Sequence, residues 1–242
     1  MEKQSIIKKI IFMSFLLILI VFFVFALIRY EVEGEKVLPY EIEKILITST
    51  VEGDIVEESD HLWDIQISQP NDIFVYITKK EETKTAISNI IIDNFKINKE
   101  AKKGETKILR PTGQLGVLYK YSQQNYFNSQ IEYTGSSIDD FMKLEINNGG
   151  GIFTFRVEQE NLGQYKSNEE TEIIYDGSLL KKAEITMEDI KNNISFDLTI
   201  KTSDNISYKT TVSLDLPVGN IVEEGTSSIE IYNLENLVFK RV

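Results

Sequence analysis

The chain has 242 residues, of which 42% are hydrophobic and 26% charged, and its formal net charge is −12. Because it contains no cysteine, disulfides, thiol catalysis and a lipid-modified cysteine are excluded. An acidic surface repels phosphate groups, so we expect no nucleic-acid partner.

The first predicted element is a membrane-spanning helix over residues 10–28, with the sequence IIFMSFLLILIVFFVFALI. Ser14 is its only polar residue, and none of its residues is charged. At about 1.5 Å per residue the run covers roughly 28 Å, close to the roughly 30 Å hydrocarbon core of a bilayer. We therefore expect the membrane to be one partner of this chain, bound through residues 10–28.

Flanking charges predict the orientation of this helix. Lys3, Lys8 and Lys9 precede it, whereas acidic residues follow Arg29. The basic side of a span usually faces the cytoplasm, which predicts a single-pass cell-membrane protein with a cytoplasmic N-terminus and an external C-terminal domain. A signal peptide cleaved after Ala26 is the alternative, but its apolar region is usually only about 7–15 residues long, so we favour an uncleaved anchor.

Four segments follow from this placement. Residues 1–30 form a cytoplasmic stub and anchor, and residues 31–41, where acidic and apolar residues alternate, form a tether. Residues 42–160 are predicted to be a β-sandwich module, and residues 161–242 a second β module or a continuation of the first. Beyond residue 30 there are 22 basic and 37 acidic residues, so the external part has a net charge of −15.

Many short runs beyond the span alternate apolar and polar residues, the pattern of half-buried strands. Strands are predicted at 45–51 and 115–121, and hairpins at 63–77 with a turn at Gln69-Pro70-Asn71-Asp72, at 142–157, and at 194–216 with a turn at Ser203-Asp204-Asn205. All four prolines lie between the runs, as expected because proline cannot donate to a strand ladder. The fold class predicted is all-β, an antiparallel β-sandwich that is either one large unit or two stacked ones.

One short helix is predicted in the external part, at TMEDIK, residues 186–191. Thr186 can cap it by accepting a hydrogen bond from the amide of Asp189. A loop is the alternative interpretation of this stretch.

Two fragments imitate the motifs of penicillin-binding proteins. Ser178 and Lys181 have the SxxK spacing, and residues 203–205 supply the SDN triplet. However, Ser178 follows an Asp-Gly turn, the triplet lies at a predicted hairpin tip, and residues 209–211 fail to supply the KTG element. Because Ser, Asp and Asn are ordinary turn residues, we interpret both fragments as structural.

His61 is the only histidine, and it lies beside Trp63 and near Glu57, Glu58 and Asp60. Such a patch suggests a metal or sugar site. One histidine cannot build a histidine-based metal centre or a Ser-His-Asp triad, so we interpret the patch as a solvated loop before a strand, with Trp63 buried.

Carboxylate pairs recur at 139–140, 169–170 and 223–224. Glycoside hydrolysis and calcium binding use such residues, although no stretch has the spacing of a calcium loop. In an acidic chain these pairs are most simply solvated charges. We predict no catalytic, cofactor-binding or metal site, while weak calcium binding at a loop stays open.

The densest aromatic stretch comprises Tyr119, Tyr121, Tyr126 and Phe127. Tyrosines suit protein interfaces, but strand cores use them as well. The sequence leaves both interpretations open.

Two stretches resemble an uncharacterised family of single-span bacterial envelope proteins. They are Tyr30–Gly53, YEVEGEKVLPYEIEKILITSTVEG, and Leu214–Ser228, LDLPVGNIVEEGTSS. The resemblance covers most of the chain and implies a cell-envelope location with an external β-rich domain. It brings no activity, ligand or catalytic residue.

We therefore expect a non-catalytic binding or assembly module of the cell envelope with a protein partner. The alternative is a carboxylate-dependent envelope hydrolase acting on glycan or peptide, which requires two carboxylates converging in a concave pocket. A sensor that signals across the membrane would need a multispan partner, since fewer than ten residues precede the span.

Overall fold

A computed structural model of the chain describes residues 2–33, 38–59, 62–80, 84–112, 120–121, 124–134, 150–167, 177–232, 234 and 237–242. The N-terminal helix α1 spans Glu2–Glu33. Its segment Lys8–Leu27 is long and apolar enough to cross a membrane, a property that a signal sequence shares. The predicted apolar helix is confirmed.

Most of the remaining described chain consists of strands. They are β1 (Tyr40–Thr50), β2 (Glu52–Ser59), β3 (Leu62–Lys79), β4 (Ile87–Lys99), β5 (Glu105–Leu109), β6 (Pro111–Thr112), β7 (Lys120–Tyr121), β8 (Ile131–Thr134), β9 (Gly150–Ser167), β10 (Asn192–Thr202), β11 (Ser207–Leu216), β12 (Thr226–Ile231) and β13 (Lys240–Arg241). Three short helices accompany them, α2 (Ser178–Lys182), α3 (Met187–Ile190) and α4 (Ile221–Glu224).

The strands form two large antiparallel sheets. The first has the order β12-β1-β3-β9-β5, with β2 pairing with β3 beyond the end of β1. The second has the order β13-β11-β10-β4-β8, and β6 pairs separately with β7. All strand pairs in the described chain are antiparallel, so the predicted antiparallel, mostly β character is confirmed.

Two strands of 18 residues, β3 and β9, run the whole length of the first sheet and pair with each other. On its other side β3 pairs with β1 from Asn71 to Lys79 and with β2 from Leu62 to Ser68. We call the part with β1 the proximal half and the part with β2 the distal half. At about 3.3 Å per residue, β3 is roughly 60 Å long.

The main core lies between the proximal half and the second sheet. At its centre the ring of Phe155 lies 5.0 Å from that of Phe196 and 5.7 Å from that of Phe95, measured between centroids. A second core lies where the three short helices cover the distal half, and its buried members are Val51, Ile65, Ile67, Leu162, Leu179, Leu180, Ile185, Ile190 and Ile221. The long strands therefore connect two separate apolar clusters.

A buried polar group, which we call the polar junction, lies where the two halves meet and comprises Ser49, Gln69 and Asn71. The Ser49 hydroxyl donates to Asn71 Oδ1 at 2.7 Å, and Gln69 Nε2 donates to the same oxygen at 3.0 Å. Asn71 Nδ2 donates to the carbonyl of Val157 at 3.0 Å, and the amide of Val218 donates to Ser49 Oγ at 2.9 Å. These bonds offset the cost of burying the polar groups.

The prediction of a hairpin with its turn at Gln69-Pro70-Asn71-Asp72 is wrong, because these residues continue strand β3. Pairing with β1 ends at Asn71 and pairing with β2 begins at Ser68. Pro70 lies in the gap between the pairings with β1 and β2, so its missing N–H interrupts neither of these two; on its other side it lies opposite Glu158 of β9. The expectation that all prolines lie between strands also fails at Pro111, which begins β6.

The other predicted elements have mixed outcomes. The hairpin at 194–216 is confirmed as β10 and β11. Residues 142–149 and 115–119 lie outside the described residues. The short helix is confirmed as α3, where Thr186 and Asp189 form a capping box, and the Thr186 hydroxyl also lies 2.7 Å from the Asp189 carboxylate. The division after residue 160 stays a prediction, and β9 runs across it.

Candidate interaction surface

The two fragments that imitate catalytic motifs belong to different parts of the fold. Ser178 begins α2, which contributes Leu179 and Leu180 to the second core, and Lys181 forms an ion pair with Glu223 of α4. The triplet at 203–205 forms the turn between β10 and β11, where the amide of Ser203 donates to the carbonyl of Ala86 at 2.8 Å. Each fragment therefore has a structural role in its own region.

The predicted patch around His61 is described only in part. Residues 60–61 lie outside the described residues, whereas Trp63 is half-buried and packs against the second core. The carboxylate pairs at 139–140 and 169–170 also lie outside, and Glu223-Glu224 is exposed on α4. Within the described ranges, no three His, Cys, Asp or Glu residues are close enough together to hold a metal ion.

Several carboxylates on the outer face of the first sheet surround Arg156. The guanidinium binds Asp72 twice, through Nε at 2.8 Å and Nη2 at 3.2 Å, and binds Glu52 through Nη1 at 3.2 Å. Burial raises the pKa of the neighbouring Glu158 carboxyl above its usual value. Because Arg156 binds both Asp72 and Glu52, these carboxylates join neighbouring strands instead of facing each other across a cleft.

The described part of the aromatic stretch belongs to the protein interior. Tyr126 is buried, with the guanidinium of Arg110 lying 5.2 Å from its ring centroid, and Phe127 packs against the main core. Tyr119 lies outside the described residues, and Tyr121 lies in β7. For Tyr126 and Phe127, the structure therefore agrees with the interpretation of this stretch as part of the core.

Strands at both edges of the first sheet have a partner on one side only among the described strands: β5 forms one edge, and β12 and β2 form the other. In the described chain β12 pairs only with β1, and β2 pairs only with β3. We call β12 and β2 together the open edge. The backbone groups on the outer side of such strands have no ladder partner and can pair with an added strand.

Exposed apolar side chains are concentrated at this edge. Outside α1, the exposed large apolar residues of the described chain are Ile55, Val56, Leu62, Ile229, Tyr232, Val238 and Val242. Two lie in β2, one begins β3 at the end of the same hairpin, Ile229 lies in β12, and Tyr232 directly follows β12. The remaining two, Val238 and Val242, flank β13 of the second sheet. Large apolar side chains are usually buried, so their concentration on one side marks a contact surface.

The proximal half of this surface contains a cleft of about 390 Å³. Its apolar walls come from the start of β1 and from the segment after β12, and include Leu38, Tyr40, Tyr232 and Phe239. Leu38 follows the end of α1 by five residues, and five extended residues span at most about 18 Å. The cleft is therefore close to the C-terminal end of the apolar helix.

In the distal half of the first sheet, the open edge is formed by β2, and it begins with a notch of about 420 Å³. It lies where pairing of β1 with β12 ends, at Thr50 and Thr226, and where β2 begins. Glu52 and Asp54 contribute carboxylates, and the lining contains no basic side chain. Because Arg156 neutralises Glu52, Asp54 supplies the negative charge of the notch.

Comparison with known proteins gave no match to a protein family, to a curated protein or to a solved structure. The function of the chain therefore has to be inferred from its own surface chemistry.

Proposed function

We propose that this chain is a single-pass protein of the bacterial cell membrane whose external β-sandwich holds another envelope protein at its open edge, without catalysing a reaction. One observation carries the proposal. Most of the exposed large apolar side chains that the structure describes beyond α1 lie at this edge of the first sheet, where β12 and β2 have no ladder partner on their outer side among the described strands. A surface of this kind binds an extended segment of another protein by adding a strand to the sheet.

The register of β12 explains how an added strand would gain stability. Ile229 is paired with Ile47 and Ile231 with Ile45, so both side chains lie on the face of the main core. Ile229 is nevertheless 47% exposed. A partner strand beside β12 would cover Ile229 and extend the main core, combining apolar burial with new backbone hydrogen bonds.

A second copy of the chain is a less suitable partner at β12. Antiparallel pairing of two β12 strands reverses the strand direction, so the two N-terminal helices would leave from opposite ends of the assembly. Two anchors in one membrane must point the same way. The net charge of −15 beyond residue 30 also makes two external domains repel each other.

Site-specific photocrosslinking in native membranes tests the proposal. We expect a photoreactive amino acid at Ser228 of β12 to capture one defined envelope protein, because this exposed residue would lie beside the added strand. Glu105 of β5, exposed at the opposite edge of the same sheet, provides the matched control position.

The substitution Ile229→Asp should abolish capture from Ser228, because a charge would replace the apolar contact. Its thermal stability in purified form shows whether the fold survives. Equal capture from Ser228 and Glu105, or capture that is unchanged in the Ile229→Asp variant, would contradict a partner site at β12.

A further inference from the structure

We propose that the distal half of the open edge binds a cationic, extended segment of a partner protein, which pairs with β2 and places a Lys or Arg side chain in the acidic notch. This inference rests on the proposed function, because it assigns partner chemistry to part of the same edge. It concerns β2 and the notch, whereas the crosslinking experiment above concerns β12.

The backbone of β2 is available for pairing. Among the described strands it is bonded only to β3, from Glu52 opposite Ser68 to Ser59 opposite Leu62. The register shifts between Ile55 and Glu57, which leaves Val56 as an extra, exposed residue. A segment that pairs with β2 would meet no described strand on the outer side of β2, and would contact the exposed side chains of Ile55 and Val56.

The two faces of β2 require different side chains from the incoming segment. Ile55 lies opposite Ile65 of the second core, so its face is the apolar one. Asp54 lies on the opposite face, across from Gln66. Because successive residues of a strand point to opposite faces, a complementary segment alternates apolar and basic residues.

Charge identifies the occupant of the notch. The β2 sequence, EGDIVEES, has four acidic residues and no basic one. Glu52 forms an ion pair with Arg156, whereas no ion pair is found for Asp54 within the described chain. A Lys or Arg from a partner would be attracted to Asp54 at the mouth of a concavity of about 420 Å³.

Other occupants of this surface fit poorly. A second copy would place the acidic β2 sequence opposite itself, and like charges directly across a strand pair are destabilising. Anionic lipid headgroups would be repelled for the same reason. A bound metal ion needs more ligands than the described residues bring together here.

A peptide titration of the full-length protein in detergent micelles tests the inference. The probe is acetyl-Lys-Val-Lys-Val-Lys-Val-Lys-Val-amide, and the readouts are hydrogen exchange of residues 52–59 and fluorescence of Trp63, the only tryptophan, which lies in β3 opposite β2. We expect the peptide to slow exchange in β2 and to change the emission of Trp63.

Two control peptides separate strand pairing from simple charge attraction. A peptide with glutamate in place of lysine should leave exchange in β2 unchanged. A lysine peptide with N-methyl groups on alternate amides, which removes ladder donors, should bind about tenfold more weakly or worse. Equal binding of the N-methylated peptide or binding of the glutamate peptide would overturn the inference.

Two variants with the same change of charge provide the matched pair. Asp54→Lys should weaken binding by about tenfold or more, whereas Glu105→Lys, on the exposed β5 edge, should not. Asp54→Asn keeps the shape of the side chain and should give an intermediate loss. Equal loss in Asp54→Lys and Glu105→Lys would overturn the site. If the peptide does not bind but crosslinking at Ser228 is retained, this inference alone is overturned. If the peptide does not bind and Ser228 captures no protein, the proposed function is overturned as well.

Discussion

At the scale of single residues, Asn71 connects most of the polar junction. Its side chain is fully buried and bonded to Ser49, Gln69 and the carbonyl of Val157. A buried polar group without a hydrogen-bond partner destabilises the folded state. Removing one member of the junction leaves the others without that partner and so lowers the free energy of unfolding. The junction therefore stabilises the fold only as a complete network.

We predict that Asn71→Ala lowers the free energy of unfolding by about 3 kcal/mol, because Ser49 and the Val157 carbonyl would be left buried without this partner. Asn98→Ala is the control, since Asn98 is exposed, so water can replace both the bond that it donates to Asn193 and the long one, 3.3 Å, that it accepts from Ser195. We expect a loss under about 1 kcal/mol there. Chemical denaturation measures both, and equal losses would contradict a cooperative junction.

Residue types in the polar junction explain why sequence reasoning failed there. Both Gln69-Pro70-Asn71-Asp72 and Ser203-Asp204-Asn205 consist of residue types that are common in turns. In the second case the prediction is correct because a local bond, from the Thr202 hydroxyl to Asp204 at 2.6 Å, holds the turn. In the first case Asn71 is bonded to Ser49, 22 residues away, and a partner at that distance is invisible in a local pattern.

At the scale of elements, the second core depends on close packing of α2 against β2. A Cβ atom added to Gly53 would lie 2.7 Å from Ile65 Cγ2 and 2.9 Å from Leu179 Cδ1. Both distances are too short for carbon atoms. The absence of a side chain at Gly53 therefore allows α2 to approach the sheet.

We predict that Gly53→Ala destabilises the protein by about 1–3 kcal/mol, because the added methyl group would force the packed side chains of Ile65 and Leu179 to shift. Gly163→Ala is the matched control in the same core, since its Cβ would meet Ile185 and Ala183 at 3.4 and 3.6 Å, which are ordinary contacts. We expect a change within about 0.5 kcal/mol there. Thermal unfolding compares the two, and a loss in Gly53→Ala as small as that in Gly163→Ala would contradict the close packing at Gly53.

The elements also differ in how well their sequences predicted them. The clean alternation in β10 and β11 predicted a hairpin, because both strands have one face in the main core. Helix α3 was predictable from Thr186 and Asp189 at its start. Helices α2 and α4, with five and four residues, are too short to show a helical period, so nothing in the pattern indicated a covered distal half.

At the scale of the whole molecule, the open edge is a product of topology. Strand β12 becomes an edge because it pairs with β1, and the bond between Thr48 and Ser228 that accompanies this pairing joins residues 180 positions apart. Sequence reasoning identified the strand-rich class from local alternation. It could not identify an edge, because edge status depends on which distant strands are neighbours.

The proposed orientation predicts a clear labelling pattern, because the chain has no native cysteine. In intact cells Ser228→Cys should react with a membrane-impermeant maleimide, and Ser5→Cys should react only after permeabilisation. The uncleaved 27.8 kDa chain should also stay with membranes after an alkaline wash. Labelling of Ser5→Cys in intact cells would reverse the orientation, and a shorter, released product would favour the signal-peptide alternative.

The continuous path of the chain through β1 and β2 has a mechanical consequence. A partner held at β2 would pull along β2, Val51 and β1 towards Leu38, parallel to the strands. The hydrogen bonds to β3 are perpendicular to that direction, so they would be strained together in shear and would not open one after another, as in peeling. On the proposed function, the domain would behave as a stiff spacer that transmits tension across roughly 60 Å between a partner and the membrane.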